Sequence, residues 1–203
     1  MLVQRNGEIF IFLTDEEQEV NREIENQDVQ MSEVISKVSE MIFDQIYPEK
    51  KYKLPIMNNK YSFGFNQFVD DKPYKNNQNY DFGINILTPN WDGVRNKQVL
   101  TVMAKNNIIV LLPEDSSFLD EILHVLKIEK YLRLNSSAAT LTKYEEIIAS
   151  KKGESNRRKL SAKCYLEESL RNASIFVDGQ ELQVKGKDIF SIFNEAFNRL
   201  VTN

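Results

Sequence analysis

The stretch Tyr61–Val69, YSFGFNQFV, decides the fold class of this 203-residue chain. Aromatic residues alternate in it with Ser, Gly and Asn, and the same period of two returns in Phe82–Ile86, FGINI. Side chains of a β-strand point to opposite faces in turn, so this alternation predicts strands with one buried face. Two apolar runs, Val99–Met103 and Ile108–Leu112, flank Asn106-Asn107, a pair typical of hairpin turns because Asn tolerates positive φ. These runs together predict an antiparallel sheet of four or five strands.

Toward the N-terminus the pattern changes to one strand and two helices. The strand is predicted over Glu8–Leu13, because its residues 9–13 are all apolar, and Thr14 with Glu17 forms the sequence signature of a capping box. That cap predicts a helix over Asp15–Gln27. The next helix is predicted over Asp28–Tyr47, where aliphatic residues recur at three- and four-residue spacing.

Toward the C-terminus helical spacing returns after Ser116. The predicted elements are a helix over Phe118–Leu134, a helix over Leu141–Ala149 that a run of bases interrupts, a third helix over Leu160–Ala173, a hairpin at 175–184 turning at Asp178-Gly179, and a last helix that Asp188 caps.

The predicted fold is therefore α+β: an antiparallel sheet flanked by helices, followed by a mainly helical part with an embedded β-hairpin. A soft boundary near Pro113 separates a sheet-bearing part, residues 1–115, from a helical part, residues 116–203, which contains the hairpin. The pattern leaves open whether the two parts share one core.

Composition excludes several classes of protein. Cys164 and His124 are the single cysteine and histidine, so the chain has no intramolecular disulfide and no cysteine-based zinc site. We expect both to be structural residues, with Cys164 in the core. Apolar runs such as Ile108–Leu112 are far shorter than the roughly 20 residues that span a membrane. Without a signal-peptide pattern, the cytoplasm is the expected compartment.

Nucleotide binding has a single near miss in the sequence. A P-loop needs two glycines five residues apart, followed by Lys and Ser or Thr, because backbone amides must surround the phosphates. Gly186-Lys187 is preceded by Glu181 at the partner position and followed by Asp188. We therefore expect a plain loop there, with no ATP binding, no cofactor and no catalytic residue in this chain.

A metal-dependent nuclease is the least favoured alternative. Asp70, Asp71, Asp81 and Lys105 supply residue types that such enzymes use. However, these enzymes place an acid two residues before the lysine on a strand, and Met103 occupies that position here.

One basic segment stands out in a chain of net charge −4. Its six bases, with Glu154 as the single acid among them, are Lys151, Lys152, Arg157, Arg158, Lys159 and Lys163. Such a helical face can contact phosphates, which makes nucleic-acid binding an alternative function. The default is a solvated helix end, and pairing with the acidic N-terminal helix of the same or a neighbouring chain is equally open.

Several short motifs resemble one protein family. FLTDEEQEVNREI at 12–24 is the most specific, and YSFGFNQFVD at 61–70, ILTP at 86–89, VLLPED at 110–115, LKIEKYLRLN at 126–135 and ASIFVDG at 173–179 follow in order. They resemble the middle region of BrxC, the large P-loop ATPase of bacterial BREX phage-exclusion systems, called PglY in related phage-growth-limitation systems.

This resemblance implies a segment of a very large intracellular ATPase whose nucleotide site lies outside this chain. The implied partners are the rest of that ATPase and other BREX components; self-association and DNA are further alternatives. The leading hypothesis is a non-catalytic structural or interaction module.

Overall fold

A computed structural model describes residues 2–6, 9–55, 61–75, 79–135, 142–184 and 186–202. The strands in these ranges are β1 (Leu2–Asn6), β2 (Ile9–Leu13), β3 (Lys51–Lys53), β4 (Ser62–Gly64), β5 (Asn66–Val69), β6 (Lys72–Pro73), β7 (Gly83–Leu87), β8 (Asn107–Leu111), β9 (Ser174–Val177) and β10 (Gln180–Leu182). The helices are α1 (Asp15–Glu25), α2 (Met31–Glu40), α3 (Lys97–Met103), α4 (Ser117–Leu134), α5 (Thr142–Arg171) and α6 (Ile189–Thr202). The predicted α+β class is confirmed.

The capping box at the start of α1 is confirmed. The Thr14 hydroxyl accepts a hydrogen bond from the backbone N–H of Glu17, and the Glu17 carboxylate accepts one from the N–H of Thr14 at 2.7 Å. The second predicted helix begins later than expected, at Met31, and continues beyond Glu40 as a π-helical turn, Met41–Ile46. This turn closes with the N–H of Tyr47 donating to the carbonyl of Ile42.

The central sheet has six strands in the order β10-β9-β8-β7-β5-β6. The prediction of an antiparallel sheet is wrong for its middle, because β5 pairs with β7 and β7 with β8 in parallel. The hairpin predicted at Asn106-Asn107 is absent because Val99–Met103 belongs to α3, whose Asn96 side chain caps the N–H of Val99. A helix between consecutive strands carries the chain back to the starting edge, which makes the strands parallel.

The hairpin at Asp178-Gly179 is confirmed. Both turn residues have positive φ, 49° and 68°, as a two-residue hairpin turn requires. It is not embedded in a helical part, however: β9 pairs with β8, so the hairpin completes one side of the six-stranded sheet. The predicted interruption of the preceding helix is also wrong, since α5 runs over 30 residues through the basic segment.

The chain divides into two compact units. The first consists of Met1–Val34 and Leu119–Ala162, and its core is formed by Val20, Ile24, Ile128, Tyr131 and Ile147.

The second unit consists of Ile35–Phe118 and Lys163–Asn203. One of its cores lies around β7 and β8 and contains Leu87, Trp91, Leu100, Ala104, Ile109 and Phe176. Among the described residues, no helix is long and apolar enough to cross a membrane.

Candidate functional site

The six bases singled out in the sequence all lie on α5, and carboxylates engage most of them. Lys151 lies 2.7 Å from Glu154, Arg158 lies 2.9 Å from Glu121, and Lys159 lies 2.5 Å from Glu129. Lys163 lies 4.0 Å from Glu167, at the limit of an ion pair. The partners of Arg158 and Lys159 lie on α4, so these bases join two helices of the first unit.

Glu154 is the centre of this ion-pair network. Its carboxylate contacts Lys151, Arg158 at 3.1 Å and Nε2 of His124 at 3.5 Å, and its side chain is 19% exposed. The hydrogen bond from His124 is the largest of the effects that hold the pKa of Glu154 well below its usual range. The other imidazole nitrogen, Nδ1, lies 3.2 Å from Glu25. His124 therefore lies between two carboxylates of the first unit, and Cys164 is exposed rather than in the predicted core.

Two bases of the segment remain outside this network. Lys152 and Arg157 are exposed, and neither has a carboxylate partner among the residues the structure describes. Pairing within the first unit thus removes much of the positive field that the sequence suggested, because an anion would have to displace a carboxylate from Lys151, Arg158 or Lys159.

Asp70 and Asp71 form a tight corner at the carboxyl end of β5. Both have positive φ, 50° and 62°. Asp70 accepts hydrogen bonds from the backbone N–H and the hydroxyl of Thr88, each at 2.7 Å. Asp71 accepts from the Asn85 amide at 2.6 Å and from the Trp91 indole N–H at 2.7 Å.

Both carboxylates therefore accept hydrogen bonds from other groups of the protein. Burial raises the pKa of Asp70, and the hydrogen bonds from Thr88 partly oppose that shift. In parallel sheets, the carboxyl ends of strands are the usual place for a ligand. Here the corner is closed by Thr88, Asn85 and Trp91.

The other residues of the nuclease alternative lie elsewhere. Asp81 precedes β7 and Lys105 precedes β8, and the register pairs Gly83 with Asn107 at the amino ends of these strands. Asp70 follows Val69, which pairs with Ile86 near the carboxyl end of β7. At about 3.3 Å per residue, the three residues from Gly83 to Ile86 span about 10 Å along the strand, and Asp81 lies before the amino end of that strand. The structure therefore does not bring the four residues together.

Gly186 and Lys187 form a loop before α6, as predicted. Lys187 makes an ion pair with Glu195 of that helix, and Asp188 caps the helix by accepting from the N–H of Ser191 at 3.0 Å. The lysine side chain is thus directed to a carboxylate of its own unit.

The second unit contains a groove between β3 and α6 that the sequence did not lead us to expect. It has a volume of about 600 Å³, and its lining includes Tyr47, Lys51, Tyr52, Lys53, Phe190, Asn194 and Asn198. The residues of α6 recur every four positions, which places them in one row of the helix. That row flanks the buried face of Ile189, Ile192, Phe193, Ala196 and Phe197.

Aromatic packing fixes the walls of this groove. The Tyr52 ring stacks on Phe197 with ring centres 5.3 Å apart, and its hydroxyl lies 3.5 Å from Oδ1 of Asn198. The Tyr47 ring lies 5.3 Å from the ring of Phe190, which nevertheless remains 42% exposed. Aromatic side chains together with a few polar groups are the usual lining of a concave binding site. The i, i+4 row of Phe190, Asn194 and Asn198 is the signal that could have revealed it.

Fold and site together define an α+β domain with a mixed six-stranded sheet, whose conspicuous acids and bases are bound largely to each other. The family model that matches residues 27–200 describes the fourth domain, with six-stranded beta sheet, of the BREX ATP-binding protein BrxC. The chain belongs to this family, which confirms the resemblance; the FLTDEEQ motif lies before the matched range. The six-stranded sheet of the description agrees with the order found here. No solved structure matches the chain.

Proposed function

We propose that this domain is a non-catalytic interaction module of a BREX-type phage-defence ATPase, working in the cytoplasm. It binds another part of the parent protein or another BREX component. The observation that carries the proposal is the aromatic groove between β3 and α6. The closed corner at Asp70 and Asp71 supports it as well, since those carboxylates are occupied by hydrogen bonds.

The edges of the six-stranded sheet are poorly suited to pairing with another chain, which favours the groove as the place where a partner binds. An exposed strand edge pairs readily with another chain, and proteins suppress this with short strands, lysine and proline. Edge strand β6 consists of Lys72 and Pro73 alone, both exposed. The opposite edge strand, β10, has three residues, and its Glu181 is paired with Lys97 at 2.7 Å.

The proposal is tested by two measurements on the purified chain. ATP hydrolysis should not exceed that of a sample without protein, because the chain has no P-loop. Binding to each purified component of the same BREX system, and to the remainder of the parent protein, should reveal at least one partner with a micromolar or lower Kd. Hydrolysis above the control, or binding to none of them, would count against the proposal.

Contact with nucleic acid is the second candidate function. Lys152 and Arg157 favour it, because they are exposed bases without a carboxylate partner among the described residues. The candidate predicts duplex DNA binding that weakens steeply with salt and is lost in a Lys152→Glu, Arg157→Glu double variant. Lys72→Glu with Lys105→Glu makes the same change of charge at exposed positions of the second unit and serves as the control. Absence of binding at low salt would remove this candidate.

A further inference from the structure

We infer that the groove between β3 and α6 binds an extended, net-acidic peptide segment with a large apolar side chain. This inference rests on the proposed function, since it specifies the partner of an interaction module. It depends on three features of the groove: the spacing of two asparagines, an exposed aromatic ring and the charge of the rim.

Asn194 and Asn198 match the repeat of an extended peptide. Four residues of an α-helix rise by about 6 Å, and two residues of an extended chain by about 6.6 Å. Each carboxamide offers one acceptor oxygen and two donor hydrogens, the complement of a backbone N–H and C=O pair. Asn194 is exposed, and none of the described residues bonds to its side chain. Within the described ranges, the Asn198 amide is engaged only through its oxygen, which accepts from the Tyr52 hydroxyl.

Phe190 supplies the apolar part of the surface. Its ring is 42% exposed although it packs against Tyr47. It lies one helical turn before Asn194, in the same row. A peptide held by the two asparagines would therefore place one of its side chains against this ring and exclude water from it.

The rim of the groove favours acidic peptides. Lys51 and Lys53 are exposed on β3, and neither has a carboxylate partner in the part of the chain that the structure describes. Of the two acids at the rim, Glu195 is paired with Lys187, which leaves Glu49. Such a rim attracts negative charge and repels basic peptides.

The inference is tested by nuclear magnetic resonance titration of the ¹⁵N-labelled chain with three synthetic octapeptides. The first, EDEFELDE, has the proposed chemistry; KRKFKLKR reverses the charges, and EDEAEADE removes the apolar side chains. We expect EDEFELDE to shift the side-chain amides of Asn194 and Asn198 and the backbone of Lys51–Lys53. Its affinity should be at least five-fold higher than that of either other peptide.

Variants separate the groove from charge in general. Lys51→Glu with Lys53→Glu, and separately Asn194→Ala, should each weaken EDEFELDE at least five-fold without lowering the thermal midpoint of unfolding, because all three side chains are exposed. Lys72→Glu with Lys105→Glu makes the same change of net charge at exposed positions away from the groove and should leave the affinity within two-fold. Equal binding of all three peptides, shifts elsewhere in the chain, or unchanged affinity in the groove variants would overturn the inference.

The same variants distinguish this inference from the proposed function. If a BREX component binds the chain and the Lys51→Glu, Lys53→Glu variant binds it equally well, the interaction module stands and the groove assignment fails. If EDEFELDE binds as expected while every component fails to bind, the groove assignment stands and the proposed function fails.

Discussion

Single residues carry the electrostatic stability of the first unit, and Glu154 is the clearest case. Its carboxylate contacts Lys151, Arg158 and His124 and is mostly shielded from water. Glu154→Gln leaves Lys151 and Arg158 without their shared carboxylate, and we expect a loss of about 1–3 kcal/mol in the free energy of unfolding. Urea denaturation measures it. Glu146→Gln is the matched control, since Glu146 is exposed on the same helix; equal losses in both variants would contradict the assignment.

The lowered pKa of Glu154 also predicts how this contribution depends on pH. A carboxyl whose pKa is lower in the folded state stabilises the protein above its ordinary value of 4.5. Below that value the unfolded state takes up the proton first, so the stabilisation declines as pH falls. The stability difference between the unsubstituted protein and Glu154→Gln should therefore shrink over the range from about pH 4.5 downward. Urea midpoints across this range measure it, and a difference that grows on acidification would contradict the lowered pKa.

Asp70 combines a strained backbone with a buried hydrogen-bond acceptor. Asp70→Ala removes the acceptor of the N–H and hydroxyl of Thr88, which is fully buried, and leaves alanine at φ 50°. We expect a loss of about 2–4 kcal/mol in unfolding free energy. Asp70→Asn should lose about half as much, because asparagine tolerates this conformation and keeps one acceptor oxygen. Asp92→Ala, at an exposed position, should change little; an Asp70→Ala variant within 0.5 kcal/mol of the original would contradict this account.

Among the secondary-structure elements, substitutions of two glycines test α5, whose continuity was not predicted, and the Asp178-Gly179 hairpin, which was predicted. Gly153 lies inside α5, where an added Cβ would meet only Arg157, at 3.5 Å; Gly179 has φ 68° and open space around it. Gly153→Ala should therefore raise the unfolding free energy by about 0.5–1 kcal/mol, since alanine favours a helix. Gly179→Ala should lower it by about 1–2 kcal/mol, because only the backbone conformation is strained. Urea denaturation measures both. Shifts of the same sign would contradict either the continuous helix or the hairpin turn.

The elements that sequence analysis predicted correctly are those with a local physical signal. Thr14 with Glu17 and Asp178 with Gly179 determine a cap and a turn within four residues. Val99–Met103 was wrongly predicted to be a strand because valine favours strands. The segment is helical instead, since the Asn96 side chain caps the helix and Leu100 is buried. The bases after Ala149 were predicted to end a helix, yet α5 continues through them, and two of them, Arg158 and Lys159, pair with acids on α4, which no local pattern reveals.

The candidate site was predictable only in part for the same reason. The six bases could be found as a charge run, but Glu121 and Glu129, the partners of Arg158 and Lys159, are 37 and 30 residues away in sequence. The groove joins β3 to α6, which are more than 130 residues apart, and only the row of Phe190, Asn194 and Asn198 was visible beforehand.

At the scale of the whole molecule, the sheet decides how the chain can be divided. The boundary between residues 115 and 116 stays a prediction, and the pairing of β9 with β8 crosses it. Ile175, Phe176 and Val177 are buried, and Phe176 belongs to the core cluster of Leu87, Trp91 and Ile109. A fragment of residues 116–203 would therefore expose an apolar strand on its open edge.

We expect this fragment to contain helix but to lack a fixed core, because β9 without β8 loses both its ladder hydrogen bonds and its apolar neighbours. Circular dichroism should show helical signal without a cooperative thermal transition, and amide resonances should be poorly dispersed. Co-expression with residues 1–115 should restore a cooperative transition, since the two fragments together contain every strand of the sheet. A fragment 116–203 that melts cooperatively by itself would instead establish the boundary as a division between independently folding domains.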